Sequence, residues 1–346
     1  MTWGNQNTKK EAHEQLSYAF DNGINILDTT EVYPVPIKNE TQGNTDRIIN
    51  PWLKTRVRDK VIIATKVVEF SDRETSLRDK GKGTRVDASN IKESVEKLLK
   101  RLGTDYIDLL QIHWPDRYVP LFGEYMYNPA KWRDSIPFAE QLQALSDVIK
   151  EGKVRYLGVS NETSFGVMKF VHIAKTFGLP KIVSIQNSYS LLVRCPFEVN
   201  LVEICDPQNC NIGLLAYSPL AGGVLSGKYL NMDSQEAKRG LLGLFPGYMD
   251  RYLKSLASEA VSKYVDLAHR HGLTPSQHKA LSRLFFWLEA IGGRNVGLTL
   301  NEEEDSYARE SEVGINFFGV ANRKKMEMLL TITIMIYSPM SCIQHP

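Results

Sequence analysis

The sequence has little of what marks membrane proteins and nucleic-acid-binding proteins. Its 346 residues carry a net charge of only +2, so no charge excess indicates a nucleic-acid or membrane surface. The apolar run Leu329–Tyr337 has nine residues, whereas a helix that spans a bilayer needs about 20. We therefore expect neither nucleic acid nor membrane among the partners.

Cysteine is scarce as well. The chain has four cysteines, Cys195, Cys205, Cys210 and Cys342. Cys205 and Cys210 have no His or Cys pair to complete a metal site, so we expect no metal and free thiols in a reducing compartment. The amino-terminal residues are polar and lack an apolar core of about seven residues, which predicts no signal peptide and a cytoplasmic location. A longer transcript could produce an organellar form.

Short apolar runs that alternate with amphipathic segments predict a parallel α/β fold. The runs Asn25–Leu27, Val61–Thr65 and Ile107–Ile112 are typical of strands. Between them, Asp87–Leu102 has an N-cap candidate, apolar residues on one face and Gly103 at its end, which predicts a helix. A second helical pattern begins at Phe138. Polar residues at consecutive strand ends predict a parallel β/α barrel with its active site at one mouth.

Four polar side chains at these strand ends have the chemistry to reduce a carbonyl. The oxygen of a carbonyl under hydride attack gains negative charge and must be stabilised and protonated. Tyr33 is the candidate acid, since its phenol, with an ordinary pKa of about 10, becomes more acidic beside the ammonium of Lys66. We expect Asp28 to hold Lys66 through an ion pair, and His113 to orient the carbonyl oxygen.

Each of these residues also has an ordinary structural interpretation. A Tyr five residues after an Asp is commonly a loop anchor, a strand-end Lys is commonly solvated, and a single His is commonly a structural hydrogen-bonding residue. The conjunction of four suitable side chains at consecutive strand ends favours a catalytic function over these alternatives.

Several motifs resemble those of the aldo-keto reductase family in the same order. They are Gly23–Tyr33, Ile63–Lys66, Arg101–His113, Gly152–Asn161, Ile185–Ser190 and Ala216–Tyr229. The insertion at Trp114–Gly123 resembles the bacterial Tas-like branch and its plant relatives. The resemblance covers roughly residues 1–275 and implies a (β/α)8 barrel that binds NADPH without a glycine-rich dinucleotide loop.

The resemblance also implies a set of cofactor-binding residues. In this interpretation Ser160, Asn161 and Gln186 hydrogen-bond the nicotinamide carboxamide, and Tyr217 stacks on its ring. The pyrophosphate loop and a phosphate ligand correspond to Ser218, Leu220, Ala221, Gly222, Gly223 and Lys228. The alternatives are a strand-ending turn at Ser160–Asn161 and a flexible connector at Gly222–Gly223. Trp3 and Trp114 are expected to line the substrate pocket, or to belong to ordinary barrel packing.

The two ends of the chain depart from the family pattern. Residues 1–4 match only the end of the family's first strand, so we expect a barrel that is incomplete at strand one, with an aggregation-prone open edge. Residues 1–291 are predicted to form the barrel, and 292–346 a divergent, partly disordered segment or a replacement last strand. If Val313–Leu329 supplies strand eight, Asn322, Arg323 and Lys324 are candidates for the 2′-phosphate; otherwise they lie on a surface helix.

Two classes of function follow from the resemblance. The first is an NADPH-dependent reductase of small aldehydes or ketones with Tyr33 as proton donor. The second is a non-catalytic, cofactor-binding regulatory protein, like the potassium-channel β-subunits that share the fold. An inactive truncated isoform is a third interpretation. Turnover of a generic aldehyde discriminates between the first two.

Overall fold

The computed structural model describes residues 1–71, 76–81, 83–124, 126–253 and 257–276. Within this part of the chain, strands alternate with helices. The strands are Ile26–Asp28 (β1), Ile62–Val67 (β2), Ile107–Ile112 (β3), Val154–Ser160 (β4), Ile182–Ser188 (β5) and Gly213–Tyr217 (β6). The helices are Lys9–Asp21 (α1), Asn44–Leu53 (α2), Ala88–Leu102 (α3), Phe138–Lys150 (α4), Ser164–Phe177 (α5), Cys195–Glu198 (α6), Leu201–Cys205 (α7), Gln235–Arg239 (α8), Leu241–Leu244 (α9) and Ala257–Arg270 (α10).

The strands form one sheet in chain order, β1 to β6. The four pairings from β1 to β5 are parallel, with Asp28 opposite Ala64 and Lys66 opposite Gln111. Parallel neighbours joined by helices are the arrangement of a β/α barrel. The predicted fold, an incomplete α/β barrel, is confirmed, since the described residues contribute six strands to this sheet. Near the amino terminus, Trp3 forms an isolated bridge with Asn7.

Helix α3 begins and ends at the residues that the sequence pattern predicts. Asp87 accepts a hydrogen bond from the backbone N–H of Asn90 at the start of the helix, and Gly103 ends it in the left-handed conformation at φ +67°. Its apolar face is fully buried at Ile91, Val95 and Leu98. The predicted boundaries of this helix are therefore correct at both ends.

Apolar side chains from β1, β2 and α1 to α3 form one core cluster. Its members are Leu16, Leu27, Ile49, Trp52, Leu53, Val61, Ile63 and Leu102, with Trp3 and Phe20 packed against it. This packing covers the sheet with helices, as a parallel sheet requires. The polar residues lie outside this apolar cluster, at the carboxyl ends of the strands.

The chain divides into two compact units. One comprises Met1–Asn187 and Asn200–Leu214, and the other comprises Ser188–Val199 and the chain from Leu215 as far as it is described. The second has its own apolar cluster around Val224, Leu225, Tyr229, Leu242 and Tyr252. The predicted boundary at residue 291 and the candidate strand eight lie outside the described residues.

Among the described residues, no helix is both long enough and apolar enough to cross a membrane. Cys195, Cys205 and Cys210 are free thiols, whereas Cys342 lies outside the described part of the chain. Burial raises the pKa of the Cys205 thiol to about 12, so this sulfur stays protonated near neutral pH.

Candidate active site

A buried ion pair lies where β1 and β2 end. Lys66 Nζ is 2.7 Å from Asp28 Oδ2, and the two side chains are 1% and 8% exposed. The ammonium also donates to the carbonyl oxygen of Thr29 at 3.0 Å. Because β1 and β2 are parallel neighbours, their carboxyl ends meet at one edge of the sheet. The predicted pairing of these residues is observed.

Tyr33 lies on the loop that follows β1. Its ring centroid is 6.0 Å from Lys66 Nζ. The backbone N–H of Tyr33 donates to the carbonyl of Thr30, and its own carbonyl accepts from Gly43 N. The ring packs against a small cluster of Val32, Val68 and Leu77. The structure therefore brings Tyr33 beside Lys66.

His113 follows β3 directly. Burial lowers the pKa of its imidazole well below the ordinary value, and the nearby Lys66 charge adds to this effect. The ring is therefore neutral near pH 7. Its Nδ1 is 3.3 Å from the Thr30 hydroxyl, which ties His113 to the same loop as Tyr33. The Trp114 ring lies against the imidazole, with the centroids 4.7 Å apart.

The second oxygen of Asp28 connects the ion pair to β5. Gln186 Nε2 donates to Asp28 Oδ1 at 2.9 Å. Ser160 Oγ donates to the carbonyl of Gln186 at 2.7 Å, and Asn161 Nδ2 donates to the carbonyl of His113 at 2.9 Å. Three predicted cofactor residues thus lie in one hydrogen-bonded network with Asp28 and His113.

The remaining predicted cofactor residues within the described chain lie in the second unit. Burial raises the pKa of the Tyr217 hydroxyl well above its ordinary range, so its ring is neutral. Gly222 and Gly223 have positive φ of 68° and 94°, which side chains disfavour. A Cβ at Gly223 would lie 2.9 Å from Lys228 Cε, so Lys228 packs against this turn. The backbone N–H of Ala221 donates to the Ser218 carbonyl, and that of Gly223 to the Leu220 carbonyl.

Not every predicted residue is near this network. Trp3 donates from Nε1 to Gln15 on α1 at 2.9 Å and packs against the apolar core, which is the packing alternative. Trp114 lies next to His113 and contacts Phe122 edge to face. Asn322, Arg323 and Lys324 lie outside the described residues.

The sequence patterns did not single out the residues that support this network. Thr30 lies between two predicted site residues, yet a threonine in a loop carries no distinctive signal. Gln111 lies within an apolar strand and donates to Asp28 Oδ1 at a long 3.5 Å. Glu69 is fully buried and accepts a hydrogen bond from the backbone N–H of Trp114 at 2.8 Å. The sequence signal for Glu69 is a charged residue two positions beyond the apolar strand β2.

Comparison with known proteins identifies the family. The pattern of the Aldo/keto reductase family matches residues 1–282. This chain belongs to the aldo/keto reductase family. Protein tas of Escherichia coli (strain K12) is 46% identical over 285 residues, which are 80% of this chain and 78% of that protein. An Aldo-keto reductase of Babesia bovis is 45% identical over 217 residues, 60% of this chain and 75% of that protein.

A more distant relative is a putative voltage-gated potassium channel subunit beta of Schizosaccharomyces pombe. It is 29% identical over 282 residues, 80% of this chain and 73% of that protein. Membership of the aldo/keto reductase family makes the chain an oxidoreductase of a family that generally uses NAD(P)H. The recognition of the family from its motifs is confirmed.

Proposed function

We propose that this aldo/keto reductase reduces aldehydes or ketones with NADPH and that Tyr33 supplies the proton. The observation that carries the proposal is the buried Asp28–Lys66 ion pair, whose ammonium lies 6.0 Å from the Tyr33 ring centroid. A fixed positive charge beside a phenol favours release of its proton to a developing alkoxide. The product is the corresponding alcohol.

The hydrogen bonds of Lys66 support this role. Asp28 and Thr29 accept from its ammonium, which fixes the position of Nζ. An ammonium has three N–H groups, and we assign the third to the phenolic oxygen of Tyr33. Asp28 is itself held by Gln186. The charge is thus preorganised and needs no rearrangement during the reaction.

His113 is suited to bind the carbonyl oxygen as a neutral donor. Its lowered imidazole pKa keeps a second positive charge out of the site near pH 7. A neutral ring carries one proton, so it donates from one nitrogen only. We assign Nδ1 as the acceptor of the Thr30 hydroxyl proton, which places the imidazole proton on Nε2, and this nitrogen can donate to the substrate oxygen.

The donor set beside Asp28 fits a nicotinamide carboxamide. A carboxamide needs both donors and acceptors, and Ser160, Asn161 and Gln186 provide hydroxyl and amide groups joined in the network described above. Bound NADPH would supply the hydride. We further propose that Tyr217 offers its neutral ring for stacking, that Ser218, Leu220 and Gly222 belong to the pyrophosphate loop, and that Lys228 binds a phosphate.

The proposed partner is a small carbonyl compound, and the proposed location is the cytoplasm. No contact among the described residues favours the regulatory alternative over catalysis. Turnover separates the two, because a regulatory protein that keeps the cofactor would bind NADPH without oxidising it in the presence of aldehyde.

The decisive experiment compares Tyr33→Phe with the wild type in the reduction of a generic aromatic aldehyde, followed by the loss of NADPH absorbance. We expect kcat to fall by about 100-fold or more, since general acid catalysis contributes 10²–10⁴-fold. Tyr18→Phe is the matched control, because Tyr18 lies on α1 and is 49% exposed. Equal turnover by Tyr33→Phe and the wild type would exclude Tyr33 as the proton donor.

A further inference from the structure

The carboxylate of Glu31 is buried near Tyr33, the proposed acid, and has no role in the proposed reaction. It lies between Asp28 and Tyr33 in the chain, and its side chain is 1% exposed. Its partner is Arg78, also 1% exposed, with Nη1 2.7 Å from Oε2 and Nη2 3.0 Å from Oε1. A buried pair is weak support for stability in itself, because desolvation offsets the attraction. Its location therefore calls for another explanation.

The same carboxylate holds the strand end that carries Lys66. Glu31 Oε1 accepts from the backbone N–H of Val68 at 2.6 Å, two residues beyond Lys66. The backbone N–H of Glu31 in turn donates to the Lys66 carbonyl at 3.4 Å. Two residues span at most about 7 Å. Glu31 thus joins the Tyr33 loop to the end of β2 close to both reacting side chains.

Helix α3 fixes the other side of this pair. Ser94 Oγ donates to Glu31 Oε2 at 2.8 Å, and Arg78 Nε donates to Asn90 Oδ1 at 2.8 Å. The Glu31 carboxylate therefore accepts four hydrogen bonds from three parts of the chain: the end of β2, the segment containing Arg78, and α3. An anion held in this way has one position, and the loop that carries it is positioned with it.

We propose that Glu31, paired with Arg78, is a positioning residue that sets the separation of Tyr33 from Lys66. This inference rests on the proposed reductase function. The ion pair touches neither substrate nor cofactor in the proposal, and acts by holding the Tyr33 loop against the end of β2. A misplacement of about 1 Å between reacting groups can cost about 100-fold in rate.

The test removes both charges at once, because a single change would leave a buried unpaired charge. The double variant Glu31→Gln with Arg78→Met keeps side-chain size and local net charge. The matched control is Asp108→Asn with Arg58→Met, which removes a pair 2.7 Å apart at the start of β3. Asp108 also accepts from a backbone N–H of β2, that of Ile63, and pairs with Arg155 at 3.1 Å. The control therefore disturbs the same kinds of contact as the Glu31 variant and, in addition, the ion pair with Arg155.

We expect both double variants to melt at lower temperature than the wild type. Only the Glu31 variant should lose kcat, by about 100-fold, with KM for the aldehyde and affinity for NADPH nearly unchanged. Equal kcat in the two double variants would overturn the proposal and reduce the pair to a structural role.

Absence of turnover in the wild type would refute the proposed function but would not test the positioning role of Glu31. A second measurement tests that role without turnover. The ring carbons of Tyr33 are followed by NMR against pH, with Tyr33→Phe identifying the signal among the 15 tyrosines. We expect Tyr33 to titrate at higher pH in the Glu31 double variant, because the Lys66 ammonium is then farther away. An unchanged titration would overturn the positioning role independently of activity.

Discussion

The proton of the Thr30 hydroxyl has two candidate acceptors in the active site. Thr30 Oγ1 is 3.3 Å from His113 Nδ1 and 3.4 Å from the Lys66 carbonyl oxygen. A hydroxyl has one proton to donate. Only when it goes to Nδ1 is the imidazole proton on Nε2, where the proposed substrate oxygen needs it. In the proposed reaction, Thr30 thus selects the tautomer of His113.

Thr30→Val keeps the shape of the side chain and removes this hydroxyl. We expect kcat to fall by about tenfold, the effect of about 1.4 kcal/mol from one lost hydrogen bond, because the tautomer of His113 is no longer selected, while folding is retained. Steady-state kinetics with the same aldehyde measure the effect. The control is Thr65→Val, since Thr65 is also fully buried and its hydroxyl has no hydrogen-bond partner among the described residues. Similar kinetics in both variants would contradict the assigned tautomer.

Glu69 makes the stability of the fold depend on pH. Burial raises the pKa of its carboxyl well above the ordinary 4.5, although the backbone N–H of Trp114 partly opposes this. Between pH 4.5 and the raised pKa, the folded chain keeps the Glu69 proton, whereas the unfolded chain releases it. The contribution of Glu69 to stability is therefore complete below pH 4.5 and is lost as pH rises through the raised pKa.

Glu69→Gln removes this titration and keeps an oxygen to accept from Trp114. We expect the free energy of unfolding in urea to fall less between about pH 5 and about pH 8 in the variant than in the wild type, by about 1.4 kcal/mol for each pKa unit removed. His113 and Asp46 titrate in both proteins and cancel in the comparison. Parallel pH profiles would show that Glu69 is ionised in the folded chain.

At the scale of elements, the packing of α2 on α3 depends on Gly103. This residue has a positive φ of 67°, and a Cβ there would lie 2.5 Å from Nδ2 of Asn50. Asn50 is one of the side chains that join the helices, since Nδ2 donates to the Arg101 carbonyl at 2.9 Å. The left-handed backbone at residue 103 and its close approach to the Asn50 side chain therefore both require glycine.

Gly103→Ala should destabilise the chain by about 2–3 kcal/mol, combining the left-handed strain of about 1–2 kcal/mol with loss of the Asn50 hydrogen bond of about 1 kcal/mol. Gly152→Ala is the control, because Gly152 has a similar φ of 73° with nothing near the added Cβ. Denaturant unfolding measures both variants. Equal losses would mean that Asn50 moves aside without cost.

At the scale of the whole molecule, binding of the proposed cofactor should stabilise the folded chain. A ligand at about 100 times its Kd adds about 2.7 kcal/mol if it binds only the native state. We therefore expect NADPH to raise the melting temperature and to quench tryptophan fluorescence over the same concentration range. NADH at equal concentration tests the preference for the 2′-phosphate. An unchanged melting temperature would contradict NADPH binding by this chain.

Sequence patterns located β1, β2, β3, α3 and α4, because the signals for these elements are local. Short stretches of sequence predict the cap of α3 at Asp87, its end at Gly103 and the apolar run of β3. The structure has all three at the predicted positions. Lys66 differs slightly, since it lies one residue inside β2 rather than beyond it. Short strands have poorly defined ends in sequence, because pairing with a neighbour decides where they stop.

The amino-acid sequence by itself determined the family, the alternation of strands and helices, and which side chains stand at the strand ends. Only the tertiary structure decided that Gln186 holds Asp28 from β5, that Thr30 contacts His113, and that Glu31 pairs with Arg78 beside Lys66. The reason is physical: periodicity and caps depend on neighbours within a few residues, whereas these contacts join residues from 47 to 158 positions apart. Such contacts exist only once the parallel strands bring their ends together.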